Sequence, residues 1–296
     1  MRVADQQLFG LLQGRFQQIS RRIFDAQQQI TSQKRVSKPS DDPSTFGQII
    51  SGKSDLARAE QRIRNIEFAT TRLDGADNTL GTVSNLLSRI KELAVRARSD
   101  TATAADRGLI AKEVRQLHRQ LVHLANTEVN GSSLFAGTKT DVAPFVLGSG
   151  DDVQYQGNGE TQSVEVGNNQ RIQVTVPGDQ IFTGATTNVF DNVENLLAAL
   201  ESNNGSGIEA GIGDVDLSII QIAGAQGTIG AMANQLESTK RSLQDVNDLI
   251  KTALSRNEDT DLAKAVSELT GQQLALEATA RSANGLFENS LLKFLK

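Results

Sequence analysis

The chain has no cysteine and no tryptophan, and only one tyrosine, two methionines and four prolines in 296 residues. Without cysteine there can be no disulfide, no thiolate zinc site and no thiol nucleophile. A reducing cytosol and a narrow reducing export route would both suit such a chain. Aromatics are sparse, with 11 Phe making up nearly all of them. The core is therefore expected to be built from Leu, Ile, Val and Ala, as in helix seams rather than aromatic-filled pockets. Long apolar runs are missing too, and no stretch approaches the ~18 residues of a membrane span. The early run Leu8 to Leu12 contains Gly10 and is too short for the core of a secretory signal.

Charge is unevenly spread. Residues 151–216 hold six Asp and five Glu against Arg171 alone, a net of minus 10 in a chain whose total is -5. Such a segment belongs in solvent and is a poor nucleic-acid surface. Residues 1–40 carry seven basic side chains against Asp5 and Asp25, a net of plus 5. The polar face of this first segment is dominated by Gln, without Trp anchors or aromatics among the basic residues, so neither a membrane-surface helix nor a nucleic-acid arm fits it well.

Length suggests about two domains or one elongated assembly. Pro39 and Pro43 lie close together, Pro144 and Pro177 lie in the middle, and 44–143 and 178–296 are free of proline and can be helical. Of the 25 glycines, 16 fall between 131 and 230, which marks a Gly-rich insert between helical arms.

The first arm has a seam at Phe9, Leu12, Phe16, Ile19, Ile23, Ala26 and Ile30, with alternating steps of three and four. It breaks at Ser37 to Pro43, where Asp42 and Pro43 form an N-cap and first-turn pair. A second seam follows at Ile66, Ala69, Leu73, Ala76, Leu80, Val83, Leu87, Ile90, Ala94 and Ala97, and a third at Ile110, Val114, Leu117, Leu121 and Leu124. From 130 to about 181 the period falls to two. Residues 163–166 and 171–176, separated by Gly167-Asn168-Asn169, predict a small antiparallel β region. A short helix is expected over 190–201 and a loop over 202–213. A fourth seam runs through Ile222, Ala225, Ile229, Met232, Leu236, Thr239, Leu243, Val246, Ile250 and Ala253. The last arm, capped near Asp261, offers Leu262, Val266, Leu269, Leu276, Ala280, Ala283, Phe287 and Phe294.

Burying the six large seam residues of the first arm falls short of the backbone entropy lost on ordering it. Pairing the two arms doubles both quantities and leaves the pair marginal. The arms are therefore expected to fold on assembly, and the candidate subunit-contact residues are Phe9, Leu12, Phe16, Ile19, Ile23, Ile30, Leu262, Val266, Leu269, Leu276, Phe287 and Phe294.

Catalytic constellations are not evident, and no cofactor or metal site is expected. His118 and His123 are five apart on a helix, too far around its axis to share a metal, and are assigned to the surface or a subunit contact. Asp41 and Asp42 read as helix capping and Asp151 and Asp152 as a turn. Gly224, Gly227 and Gly230 lack the context of a phosphate loop and, on a helix, mark close backbone approach. The chain is read as a non-enzyme.

Two segments carry a resemblance. Ile30 to Pro43, Ile-Thr-Ser-Gln-Lys-Arg-Val-Ser-Lys-Pro-Ser-Asp-Asp-Pro, resembles the N-terminal signature of flagellin-like proteins, with two prolines as in the hook-associated branch. Asn130 to Thr140, Asn-Gly-Ser-Ser-Leu-Phe-Ala-Gly-Thr-Lys-Thr, followed by Pro144-Phe145, is similar to a run of the hook-filament junction family, hook-associated protein 3. Asn284-Gly285-Leu286-Phe287 departs from the filament flagellin ending.

The resemblance implies an α+β fold: an elongated multi-helix coiled-coil rod formed by both chain ends, with a small β-rich insert in the middle. Residues 1–43 and 255–296 would be terminal arms of an inner tube, 44–130 and 190–254 the helical rod, and 131–189 the solvent-facing insert. It further implies unfolded export through the flagellar type III channel and a secreted location at the junction. The implied partners are hook-associated protein 1, flagellin, copies of the chain in a ring, and a cytoplasmic flagellar export chaperone. Alternatives are a flagellin-like filament subunit and a secreted binding protein on a flagellin-like frame. Deleting 140–182 separates the latter from a junction subunit, because binding would vanish while assembly survived.

Overall fold

In the computed structural model, the backbone is described for residues 2–148, 151–167, 170–184 and 187–294, and the side chains within those ranges except 2–6, 8 and 285–294. The elements are α1 (Arg2–Ser32), α2 (Pro43–Arg98), α3 (Ala104–Ala125), β1 (Glu128–Val129), β2 (Ser132–Ser133), β3 (Phe145–Leu147), β4 (Val153–Tyr155), β5 (Ser163–Gly167), β6 (Gln170–Gln173), α4 (Gly178–Phe182), α5 (Val189–Glu201), α6 (Gly205–Glu258) and α7 (Leu262–Phe294). The class is α+β, mainly helical, with long terminal helices and short antiparallel strands in the middle of the chain. Two compact units result: residues 59–245, and residues 1–58 together with 246–296.

In the larger unit, all ten residues of the α2 seam, from Ile66 to Ala97, are buried. Alternating steps of three and four keep one stripe facing inward, and Leu, Ile, Val and Ala along it need no polar partner. α3 begins at a capping box: Thr103 Oγ1 accepts the Asp106 N–H at 3.2 Å, and Asp106 Oδ2 accepts the Thr103 N–H at 3.0 Å. Arg89 reaches Glu113 across α2 and α3 at 3.0 Å, and Lys91 reaches Asp216 across α2 and α6 at 2.6 Å. Arg115 binds Glu201 across α3 and α5, and Asn192 Nδ2 on α5 donates to the Asp214 carbonyl on α6 at 2.9 Å. These four helices therefore form a bundle in which α2 and α5 each touch both α3 and α6.

Three hairpins attach to this bundle: β1 with β2, β3 with β4, and β5 with β6, each antiparallel. The turn of the first is Asn130-Gly131, both at positive φ (54° and 72°), as a two-residue hairpin turn requires. That hairpin sits on α2 where Gly75 leaves room, since a Cβ there would lie 2.9 Å from Val129 Cγ2. Buried Arg72, one turn earlier, donates to the Ser133 carbonyl at 3.1 Å. β5 matches the strand expected at 163–166, β6 covers 170–173 and stops short of the 171–176 expected, and α5 matches the helix expected over 190–201.

Several expectations are corrected. Four of the eleven Phe are gathered into one cluster: Phe135, Phe145, Phe182 and Phe190 are all fully buried, with neighbouring ring centroids 5.0 to 5.5 Å apart. His118 is fully buried, edge-on to Phe190 at 6.3 Å, because it lies on the same inward stripe as Val114, Leu121 and Ala125. His123 is exposed. The loop expected over 202–213 is helical from Gly205. Asn204 Oδ1 accepts the Gly207 N–H at 3.2 Å, and Ile208 is buried. Close helix approach falls at Gly211, where a Cβ would meet Leu196 Cδ1 at 2.9 Å, and not at Gly224, Gly227 or Gly230, which have nothing within 4 Å.

Candidate assembly surface on the terminal helices

In the smaller unit, α1 packs along α7. Residues 33–36 meet 257–260 at one end of this pair. The Arg35 N–H donates to the Glu258 carbonyl at 2.7 Å, the Thr260 N–H to the Gln33 carbonyl at 3.0 Å, and Arg35 Nη2 to the Asn257 carbonyl at 2.9 Å. The end of α1 thus lies beside the start of α7, and the helices run in opposite directions. Gln33 at φ 57° makes the reversal that follows α1.

Glu258 is the centre of this clasp. Its carboxylate binds Lys34, and Lys53 on α2 at 2.8 Å. Burial pushes its pKa up, but the hydrogen bonds from Lys34 and Lys53 outweigh burial and bring it below the usual value, while the same contact raises that of Lys34. Val36, Ile49 and Leu254 are buried beside it. Gly52 admits Leu254, whose Cδ2 would lie 2.9 Å from an added Cβ.

The break before α2 is capped as expected. Asp42 Oδ1 accepts the Thr45 N–H at 3.1 Å and Asp42 Oδ2 accepts Thr45 Oγ1–H at 2.6 Å, which hold the carboxyl down at about 2. Asp41 accepts the N–H groups of Ser37 and Lys38, both at 3.1 Å. The second break is capped by Asp261, whose Oδ1 accepts the Lys264 N–H at 3.1 Å.

The seam along α1 and α7 is only half closed. Leu12, Phe16, Ile19, Ile23 and Ile30 are half-buried, and Phe9 is 54% exposed. On α7 the inward stripe is Ala265, Leu269, Gln272, Leu276, Thr279 and Ala283, at steps of four and three. Leu269 and Leu276 are on it, half-buried. Leu262 (44% exposed) and Val266 (49%) lie off it, facing out with Leu274, as do Leu11 and Phe24 on α1. The side chains of Phe287 and Phe294 lie outside the described residues. Among the described side chains of these two helices only Ala26 and Ala265 are fully buried. Sequence periodicity missed Leu11, Phe24 and Leu274 because they stand outside the main stripe. The clasp had a faint signal, with opposite charges flanking the two helix breaks.

Exposed apolar side chains in this number, on helices already packed together, exceed the singly scattered ones of an ordinary surface. Among the described residues no three His, Asp or Glu side chains come together to hold a metal ion, and no helix is long and apolar enough to cross a membrane.

The models of the bacterial flagellin N-terminal and C-terminal helical regions match residues 11–140 and 212–295, which together contain most of α1 and all of α7. The chain belongs to the flagellin-like family. Flagellar hook-associated protein 3 of Escherichia coli K12 is 27% identical over 91% of this chain and 92% of its own length. The same-named protein of Salmonella typhimurium LT2 is 28% identical over 90% of each. Flagellin of Halalkalibacterium halodurans is 22% identical over 86% of this chain and 84% of its own. Among solved structures, a flagellar hook-associated protein from Vibrio parahaemolyticus superposes with a TM-score of 0.68 at 21% identity, covering 74% of this chain and all of that one. Hook-associated protein 3 from Legionella pneumophila gives 0.64 at 17% identity, covering 70% and 98%. At those identities the structural likeness speaks to the fold alone.

Proposed function

We propose that this chain is a structural subunit of the bacterial flagellum that joins the hook, through hook-associated protein 1, to the flagellin filament. The observation that carries this is the half-made core of α1 and α7, in which the large seam residues from Leu12 to Ile30 and from Leu269 to Leu276 stay partly in water. Near full-length likeness to hook-associated protein 3 supports it. On this reading residues 1–43 and 255–296 line an inner tube and become fully ordered when copies stack. Residues 44–130 and 190–254 form the rod, and 131–189 face solvent. Phe9, Leu262 and Val266, 44 to 54% exposed in the single chain, are covered further by neighbouring subunits. The chain leaves the cell unfolded through the flagellar export channel, a cytoplasmic chaperone holding its C-terminal seam beforehand, and it has no catalytic role.

The test is complementation of a deletion strain with Phe16→Asp or Leu269→Asp. Filament attachment should be lost while the purified variants retain a folded 59–245 unit. Motile cells carrying either change would refute the proposal. Amide exchange on the isolated chain is the companion measurement: weak protection of residues 5–30, rising on assembly, is expected.

A further inference from the structure

Arg72 on α2 is a buried cation without a counter-charge. Its side chain is 4% exposed, and Nη2 donates to the Ser133 carbonyl at 3.1 Å. Nε is buried with no hydrogen-bond partner, and no carboxylate forms an ion pair with Arg72 among the described residues. Burial alone acts on its pKa, lowering it. A guanidinium nevertheless keeps its proton inside a protein, so it does not escape burial by becoming neutral as a lysine or histidine does. An ion taken out of water without a partner is among the costliest groups a fold can hold. Glu258, the other buried ionised side chain among the described residues, is met by two lysines.

Space lies beside Arg72. A cavity with about 10 Å³ of room for the centre of a water-sized sphere is lined by Arg72 and Thr175, and otherwise by apolar side chains such as Leu73, Leu134, Phe135 and Ile229. One compact particle fits there. Thr175, also 4% exposed, accepts the Gln162 N–H at 2.8 Å with its hydroxyl oxygen and keeps its own proton to donate. The lining side chains therefore offer N–H and O–H donors, one positive charge and no carboxylate. Water would accept from Nε yet leave the charge uncompensated, and a divalent anion would exchange a surplus positive charge for a negative one. A monovalent anion balances it.

We propose that this cavity binds a single halide ion, such as chloride, between Arg72 on α2 and Thr175 just after β6. The ion ties the end of the third hairpin to the helix that already holds the first one through Ser133.

The test follows the thermal unfolding of the full chain by tyrosine emission while chloride replaces gluconate at constant ionic strength. Beyond half-saturation, each tenfold rise in chloride should raise Tm by about 3–6 °C, as for a ligand that binds only the folded state of a unit this size. Arg72→Met, which fills the space with an apolar side chain of similar length, should make Tm indifferent to the exchange. Thr175→Val should raise the half-saturating chloride concentration about tenfold, the worth of one hydrogen bond to a charged group. Crystals of the unmodified full chain grown in bromide supply a measurement that no variant can spoil: an anomalous peak should lie within hydrogen-bond reach of Arg72 Nε. Equal Tm in chloride and gluconate, an equal response in Arg72→Met, or a site holding water without an anomalous peak would each overturn the proposal. None of these outcomes bears on the junction reading, which rests on the terminal helices.

Discussion

Phe145→Ala tests the aromatic cluster that joins the hairpins to the bundle. The ring is 1% exposed, with centroids 5.0 Å from Phe190, 5.1 Å from Tyr155 and 5.2 Å from Phe182. Asn126 holds the backbone from both sides, its Oδ1 accepting the Phe145 N–H at 2.8 Å and its Nδ2 donating to the Phe145 carbonyl at 2.7 Å. The strand therefore cannot sink into the space left behind, and the loss should be about 3–5 kcal/mol, as for a phenyl ring removed from a site that cannot collapse. For a unit of this size that corresponds to a fall in Tm of roughly 6–20 °C. Tyr155 is the chain's one tyrosine and there is no tryptophan, so tyrosine emission reports from inside this cluster. The Tyr155 hydroxyl donates to the Phe135 and Asn158 carbonyls, both at 3.0 Å, and burial pushes its pKa up to about 12. In the variant, the emission transition should move to lower temperature and phenol ionisation toward its ordinary value. A shift worth less than about 1 kcal/mol, or unaltered tyrosine ionisation, would refute the packing described.

The remaining predictions concern pH and glycine. Both ring nitrogens of His118 are buried without a hydrogen-bond partner, and burial lowers its pKa. The folded state therefore binds its proton more weakly than the unfolded chain, and stability should fall as pH drops below the ordinary histidine value near 6.5. His118→Leu should remove that part of the slope in urea titrations from pH 7 to 5. Asp42, held at about 2 by Thr45 and Ser44, contributes stability above the ordinary carboxyl value that is lost as pH falls from about 4 to about 2. The stability gap between the native chain and Asp42→Ala should close over that interval, and a gap unchanged at pH 2 would contradict the cap. Gly211→Ala should destabilise because of Leu196, whereas Gly224→Ala, in open space, should stabilise α6 by about 0.5–1 kcal/mol. Equal Tm changes for the two would show that the helix contact is misplaced.

The helical frame was legible where a stripe was long and simple. Ile66 to Ala97 could be read directly because ten buried positions leave one phase consistent with all of them. The last arm was harder. Leu262 and Val266 are the larger apolar residues at its start, yet the inward position there belongs to Ala265, since small residues set the close approach of α1 and α7 while size draws the eye to the exposed face. A similar slip occurs in α6, where buried Asn247 takes the seam position that hydrophobicity assigned to Val246. The titratable side chain of His118 suggests a surface position, but its step of four from Val114 puts it on the buried stripe. The start of α6 is hidden because 204–213 combines a helix cap and several glycines, and only contact with Leu196 and Ala199 distinguishes a tightly packed helix from a loop. The resemblance segment 130–140 was legible as a motif, but its work in holding a hairpin on Arg72 and Gly75 depends on contacts across some sixty positions.

The clasp between 33–36 and 257–260 has a consequence for how such a chain can change length. Backbone bonds and the Lys34, Lys53 and Glu258 cluster tie both entry and exit of everything in between, like the drawn neck of a bag. What is gathered at the neck is indifferent to how much the bag holds. Doubling the enclosed length adds only about 0.6 kcal/mol of closure entropy, so descendants of this chain could gain or shed whole surface modules while the paired ends keep the same grip.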